Sequence, residues 1–77
     1  MTPDVDSGVQ ELRPVQFEAF YSTFWAEVFK PLAATIGDRD LAREAVDEAM
    51  VRAYARWSRV RTMANPKGWV YRVAYRW

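Results

Sequence analysis

The sequence predicts an all-α domain: a three-helix bundle preceded by a flexible tail. Over most of the chain apolar residues recur three and four positions apart, the spacing of one helix face, and no stretch alternates apolar and polar residues as a strand would. Seventy-seven residues allow one domain at most. Because 51% of them are hydrophobic, the chain is too apolar to be disordered throughout.

Residues 1–14 are predicted to be a flexible N-terminal tail. Proline, serine, glycine and three acids occur there without apolar periodicity, and Pro14 closes the segment. The helical domain is therefore expected to span residues 15–77. Because the apolar pattern is still running at Trp77, we expect the domain to be truncated at its C-terminus.

The first helix is predicted to begin at Val15 and to end before Gly37, which sits where a left-handed cap is usual. Its apolar face comprises Phe17, Phe20, Tyr21, Phe24, Val28, Leu32 and Ile36. Pro31 cannot donate a hydrogen bond to the Glu27 carbonyl, so a kink or break is expected between these two residues.

The second helix is predicted to begin after a cap at Asp38 or Asp40. Its buried side has helical spacing and comprises Ala42, Ala45, Val46, Ala49, Met50, Ala53 and Trp57. The opposite side, here called the acidic face, comprises Glu44, Asp47, Glu48 and Val51 with Arg52 on its flank. An apolar Val51 among charges indicates a contact surface, whereas a Glu48–Arg52 pair indicates a solvated one. Spacing alone favours the solvated interpretation.

Residues 58–64 lose the periodicity and are predicted to be a loop. Asn65 and Pro66 then supply an N-cap and a proline at the first helical position, which predicts a third helix. Its inward positions are Trp69, Val70, Val73, Ala74 and Trp77, and its outward positions are Tyr71, Arg72, Tyr75 and Arg76. Trp69 is predicted to belong to the core, as are Trp25 and Trp57.

Charge is divided along the chain. Residues 1–48 hold ten carboxylates and four cations, a net charge of −6, whereas residues 49–77 hold seven cations and no acid, a net charge of +7. Tyrosines and tryptophans are interspersed among the cations. Because guanidinium groups neutralise phosphates and flat rings stack on bases, this composition is typical of a surface that binds single-stranded or melted nucleic acid.

Several function classes are disfavoured by composition. The chain has no cysteine and no histidine, and its three glycines form no phosphate-binding loop, so we expect neither an enzyme nor a metal or cofactor site. No apolar run approaches the roughly 20 residues that a membrane span needs. The acidic start is unlike a signal peptide, so a cytoplasmic chain without membrane contact is expected.

Four stretches in order resemble one family. They are residues 17–21 (FEAFY) with 28–30 (VFK), the Gly37-Asp38 turn with Asp40, residues 42–54 (AREAVDEAMVRAY), and residues 65–74 (NPKGWVYRVA). Together they are similar to region two of an extracytoplasmic-function sigma factor, the promoter-melting domain of the smallest alternative sigma subunits of bacterial RNA polymerase. Asp47 stands where the family usually has glutamine, and Tyr75-Arg76 replace its usual arginine-asparagine, so promoter preference cannot be carried over.

The resemblance implies two binding surfaces. The acidic face would dock on the clamp helices of the largest subunit of the polymerase core through Glu44, Asp47, Glu48, Val51 and Arg52. The loop and third helix would bind the non-template strand of the minus-ten promoter element through Arg59, Arg61, Met63, Asn65, Lys67, Tyr71, Arg72, Tyr75 and Arg76. In that set the cations hold phosphates, the tyrosines stack on bases, and Met63 and Asn65 line a pocket for a base turned out of the stack.

Two alternatives remain open. The basic, aromatic segment alone is also compatible with a stand-alone helical nucleic-acid-binding module. The many large aromatic residues on so small a domain are compatible with a protein-interaction module covered by a regulator, which in this family would be an anti-sigma factor. Binding to duplex DNA without polymerase would favour the first.

Overall fold

The computed structural model describes the backbone of residues 2–77 and the side chains of residues 16–77. Four helices account for nearly all of it: α1 (Thr2–Ile36), α2 (Arg39–Ala55), α3 (Trp57–Val60) and α4 (Pro66–Arg76). No strand occurs in the described backbone. The predicted all-α class is confirmed, with one short helix more than the three that were expected.

α1 begins at Thr2 rather than at Val15, and it continues through Pro14 and Pro31 as one helix. Residues 10–13 (QELR), directly before Pro14, are good helix formers, whereas residues 2–9 include proline, glycine and β-branched residues, and their local propensity does not explain the helix there. The expected break before Pro31 does not occur, because buried residues on both sides of it, Val28 and Leu32, hold the helix against the core. Whether residues 1–14 form a tail separate from the helical domain depends on side-chain contacts that lie outside the described residues. The predicted boundary after residue 14 therefore stays a prediction.

The turn between α1 and α2 has the predicted chemistry. Gly37 adopts a φ of 78°, a left-handed conformation that glycine tolerates at no steric cost, and its amide donates to the Ala33 carbonyl. Asp38, rather than Asp40, is the N-cap of α2, since its Oδ1 accepts a hydrogen bond of 3.0 Å from the Leu41 amide. These caps fix the point at which the chain reverses.

α3 overlaps the start of the segment that was predicted to be an irregular loop, and its first residue, Trp57, was predicted to end the second helix. α2 ends at Ala55, and a single further helical turn carries Trp57 and Val60 into the core, where they are 5% and 0% exposed. A four-residue helix is too short to produce a recognisable period, so the prediction of a loop over residues 58–64 was wrong at its start.

α4 starts as predicted, with Pro66 in its first turn and the Asn65 Oδ1 accepting a hydrogen bond of 3.0 Å from the Gly68 amide. Val70 and Ala74 are buried. Trp77 was predicted to face inward but is 50% exposed, because it is the C-cap residue and lies beyond the last regular turn.

α2 is the central element of the core. Its buried side consists of Ala42, Ala45, Val46, Ala49, Met50 and Ala53. Contacts between α1 and α2 run in antiparallel order, from Phe17 beside Tyr54 at a ring-centroid distance of 5.1 Å to Phe29 beneath the Arg39 guanidinium at 5.8 Å. α4 lies beside α1 in the same direction, since Lys67 meets Glu27 and Tyr71 meets Thr35.

An aromatic cluster closes one end of this core. Phe20 packs on Phe24 and on Trp57 at centroid distances of 5.1 Å each, and Phe17 meets Trp57 edge-on at 5.5 Å. Edge-to-face aromatic pairs each contribute about 0.5–1.5 kcal/mol beyond the area that they bury. The cluster therefore anchors α3 to α1.

Gly68 and Asn65 form a coupled pair at the start of α4. A methyl group on Gly68 would lie 2.5 Å from Nδ2 and 2.9 Å from Cγ of Asn65, so Gly68→Ala should displace the cap. The loss of about 1 kcal/mol from the cap should then offset the gain of about 1 kcal/mol from the better helix former, leaving the free energy of unfolding nearly unchanged. In an Asn65→Ala background, where no cap remains to be lost, the same change should stabilise by about 1 kcal/mol. Urea unfolding of the four chains checks this difference, and equal effects in both backgrounds would contradict it.

Candidate docking and nucleic-acid surfaces

The acidic face forms one stripe on the outer side of α2. Glu44, Asp47 and Arg52 are exposed, Glu48 is half-buried, and Val51 is 63% exposed. Spacings of three and four residues place neighbouring members next to each other along the helix. The structure therefore brings together all five of the residues predicted for docking.

Glu48 and Arg52 form the ion pair that their spacing predicted. The Arg52 Nε donates to the Glu48 Oε2 at 3.3 Å, and the two side chains are 49% and 39% exposed. An exposed pair of this kind contributes about 0.3–0.5 kcal/mol to the stability of a helix. It can therefore exchange for a contact with a partner at little energetic cost.

Asp47 is tied to α1. Its Oδ1 accepts a hydrogen bond of 2.8 Å from the Trp25 indole Nε1, and the Tyr21 hydroxyl lies 3.5 Å from the same oxygen. Burial raises the pKa of the Tyr21 phenol above its usual value of 10.0, and the neighbouring Asp47 carboxylate raises it further by charge repulsion and by accepting a hydrogen bond from the hydroxyl. The candidate docking surface thus includes side chains of α1.

A shallow apolar groove of about 380 Å³ adjoins this carboxylate. It is lined by Phe17, Tyr21, Asp47, Met50, Val51 and Tyr54. Tyr21 and Tyr54 are 38% and 41% exposed. Carboxylates beside an open apolar surface suit a partner that offers a cationic and an apolar side chain together.

The candidate nucleic-acid residues differ in how accessible they are. Arg59, Arg61, Arg72 and Arg76 are exposed, and none of the four forms an ion pair within the described side chains. Tyr75 is 59% exposed, on the same outer side of α4 as Arg72 and Arg76. This part of the predicted surface is available to a ligand.

Two members of the predicted set are engaged inside the domain. The Lys67 Nζ donates to the Glu27 Oε1 at 2.8 Å and lies 5.7 Å from the centre of the Phe24 ring. Asn65 uses its Oδ1 as the cap of α4, which leaves its Nδ2 as the group with no partner among the described residues. Their predicted roles as a phosphate contact and a base contact therefore compete with structural ones.

Met63 and Tyr71 are half-buried and pack against the core. The Tyr71 hydroxyl lies 3.5 Å from the Thr35 Oγ1, and its ring is nearly parallel to that of Tyr75, with centroids 6.4 Å apart. Tyr71 was predicted to face outward with Tyr75, but α1 covers part of it. Tyr75 is the more accessible stacking surface.

A second groove of about 300 Å³ lies between α1 and the start of α4. Its lining residues are Glu27, Val28, Pro31, Asn65, Lys67, Gly68 and Tyr71. Three residues predicted for DNA binding, Asn65, Lys67 and Tyr71, therefore meet in one concave site. Glu27 was not predicted to lie there.

The tryptophans predicted to pack do so to different extents. Trp57 is buried, while Trp25 and Trp69 are partly buried against the core. Trp25 also presents a polar edge to Asp47, a role that the sequence analysis missed. The sequence feature that could have indicated this contact is the four-residue spacing of Tyr21 and Trp25, which puts two side chains with polar tips on one side of α1.

No protein-family model, curated protein or solved structure matches this chain. Within the described residues, no three potential metal-ligating side chains are grouped together. Nor is any of the described helices both long and apolar enough to cross a bilayer.

Substituting Asp47 should change the titration of Tyr21. Asp47→Asn removes the neighbouring negative charge, so the pKa of Tyr21 should fall towards 10.0 while remaining raised by burial. A raised phenol pKa stabilises the folded state below pH 10, and that stabilisation is lost as pH rises through the folded-state pKa. The NMR shift of the Tyr21 Cζ carbon followed from pH 8 to 12 measures this difference. Identical curves in the two chains would contradict the contact.

Proposed function

We propose that this chain is a transcription-initiation domain similar to region two of a sigma factor, and that its acidic face docks on the clamp helices of bacterial RNA polymerase. The observation that carries the proposal is the stripe on α2, in which Asp47 and Glu48 lie one helical turn before a valine that is 63% exposed. That valine also lines the apolar groove beside Asp47, so carboxylates and an open apolar surface adjoin each other. Such a face gains association rate and specificity from charge complementarity with a basic partner.

We further propose that the outer side of α4 binds the non-template strand of the minus-ten promoter element. The exposed Arg72 and Arg76 lie beside Tyr75, so one side of a helix offers phosphate contacts and a stacking platform together. The groove beside Asn65 is the candidate site for an unstacked base, because the free Nδ2 of Asn65 can donate to a base edge. In this proposal the domain binds and the polymerase performs the chemistry.

A stand-alone nucleic-acid-binding module is the second candidate. The exposed cations of α3 and α4 would support it without any role for α2. It differs from the sigma-like proposal in one measurable respect, since it should bind duplex DNA in the absence of polymerase, with an affinity that depends on salt.

Reversing charge on the acidic face should abolish polymerase docking. An Asp47→Lys, Glu48→Lys chain should lose at least tenfold in affinity for the isolated clamp-helix segment, because two attractive charge contacts become repulsive. Titration calorimetry at low salt, with circular dichroism to verify folding, measures the change.

The matched control is Thr23→Lys, Ala34→Lys, Thr62→Lys, Ala64→Lys. It makes the same change of +4 in net charge at four exposed neutral residues that do not adjoin the acidic face, and its affinity should stay within about twofold of the native chain, as expected for charges away from the contact. An equal loss in both chains would mean that net charge rather than this face controls binding. No binding by the folded native chain would refute polymerase docking.

Tyr75→Ala should weaken binding to a single-stranded minus-ten oligonucleotide at least about fivefold, since one stacked base contributes about 1–3 kcal/mol. Tyr54→Ala is the control, because it removes another exposed tyrosine from α2.

Arg72→Ala, Arg76→Ala should lower the slope of log affinity against log salt by about 1.4, or about 0.7 for each phosphate contact. Fluorescence anisotropy measures both effects, and unchanged affinity and slope would exclude this side of α4.

A further inference from the structure

Two donors from α1 converge on one oxygen of Asp47. The Trp25 Nε1 lies 2.8 Å from Oδ1, and the Tyr21 hydroxyl lies 3.5 Å from it. Asp47 Oδ2 accepts no hydrogen bond from the described side chains, and the residue is exposed. The carboxylate is therefore held by one oxygen and free at the other.

We propose that Trp25 and Tyr21 are positioning residues for docking, which orient the Asp47 carboxylate so that Oδ2 receives a cation of the partner. This inference rests on the proposed docking function and extends its surface from α2 to α1. The partner group that fits is a single N–H donor, such as a lysine ammonium or one nitrogen of an arginine. A bidentate guanidinium contact would also need Oδ1, where it would compete with the indole and the phenol.

The indole is itself held firmly, which is what a positioning role requires. Its ring stacks on Phe29 with centroids 4.9 Å apart and an interplanar angle of 18°. Phe29 is 8% exposed and belongs to the core. Asp47 is thus connected to the hydrophobic core through one hydrogen bond and one stacked pair.

A held carboxylate binds a cation better than a mobile one for an entropic reason. An exposed aspartate samples several rotamers, and a partner that selects one of them must offset the lost freedom. Where the indole has already selected the rotamer, that cost is met on folding. The hydrogen bond should therefore contribute to docking even though Trp25 need not touch the partner.

Trp25→Phe is the decisive variant, because it keeps an aromatic ring to stack on Phe29 and removes the N–H donor. Its affinity for the clamp-helix segment should fall about threefold to tenfold, the range expected when a partner must itself order one mobile side chain. In an Asp47→Ala background the same substitution should have no effect on affinity. A merely structural role of Trp25 would instead weaken binding equally in both backgrounds.

Two further variants keep the test decisive. Tyr21→Phe should weaken binding less than Trp25→Phe, since its contact is the longer one, and it replaces Trp25→Phe in the cycle with Asp47→Ala if that variant does not fold. Trp69→Phe changes a tryptophan on α4 and should bind as the native chain does.

The outcomes separate the inference from the proposed function. If Trp25→Phe leaves the affinity of the native chain unchanged, or lowers affinity equally in chains with and without Asp47, the positioning role is overturned and the docking proposal stands. Absence of binding by the folded native chain overturns both. A loss that requires Asp47 supports both.

Discussion

The short side chains on the buried side of α2 are the constraint on which the rest of the structure depends. Ala42, Ala45, Ala49 and Ala53 are at most 1% exposed, and because they are small, both α1 and α4 approach the α2 backbone closely. Larger residues, Leu32 and Val70 among them, fill the space between the helices. α2 can therefore pack against both α1 and α4 with one side while its charged side stays exposed to solvent.

Features set by local chemistry were predictable from the sequence. The left-handed Gly37, the Asp38 cap and the Asn65-Pro66 start of α4 each depend on residues within one turn, and the structure has all three. The start of α1 and the existence of α3 were not predicted. α3 is held by the burial of Trp57 in an aromatic cluster with α1, an interaction that helix periodicity within one segment does not contain.

The same difference between local features and contacts of distant residues applies to the candidate surfaces. The stripe on α2 follows from spacing along one helix, so its five members were found together. Contacts between helices were missed, because the hydrogen bond from Trp25 to Asp47 spans 22 residues and the ion pair of Lys67 with Glu27 spans 40. The groups on each surface were predictable from the sequence, whereas the helix packing decides which of them are accessible and which already have partners.

The Lys67–Glu27 pair affects how nucleic-acid binding would depend on salt concentration. In the free domain this ammonium is neutralised by a carboxylate 2.8 Å away rather than by dissolved ions. While that pair persists, Lys67 neutralises no phosphate and so releases no condensed cation from the nucleic acid. Glu27 acts as a built-in counterion, so the ionic-strength response of the surface is set by its unpaired arginines and not by its total number of cations.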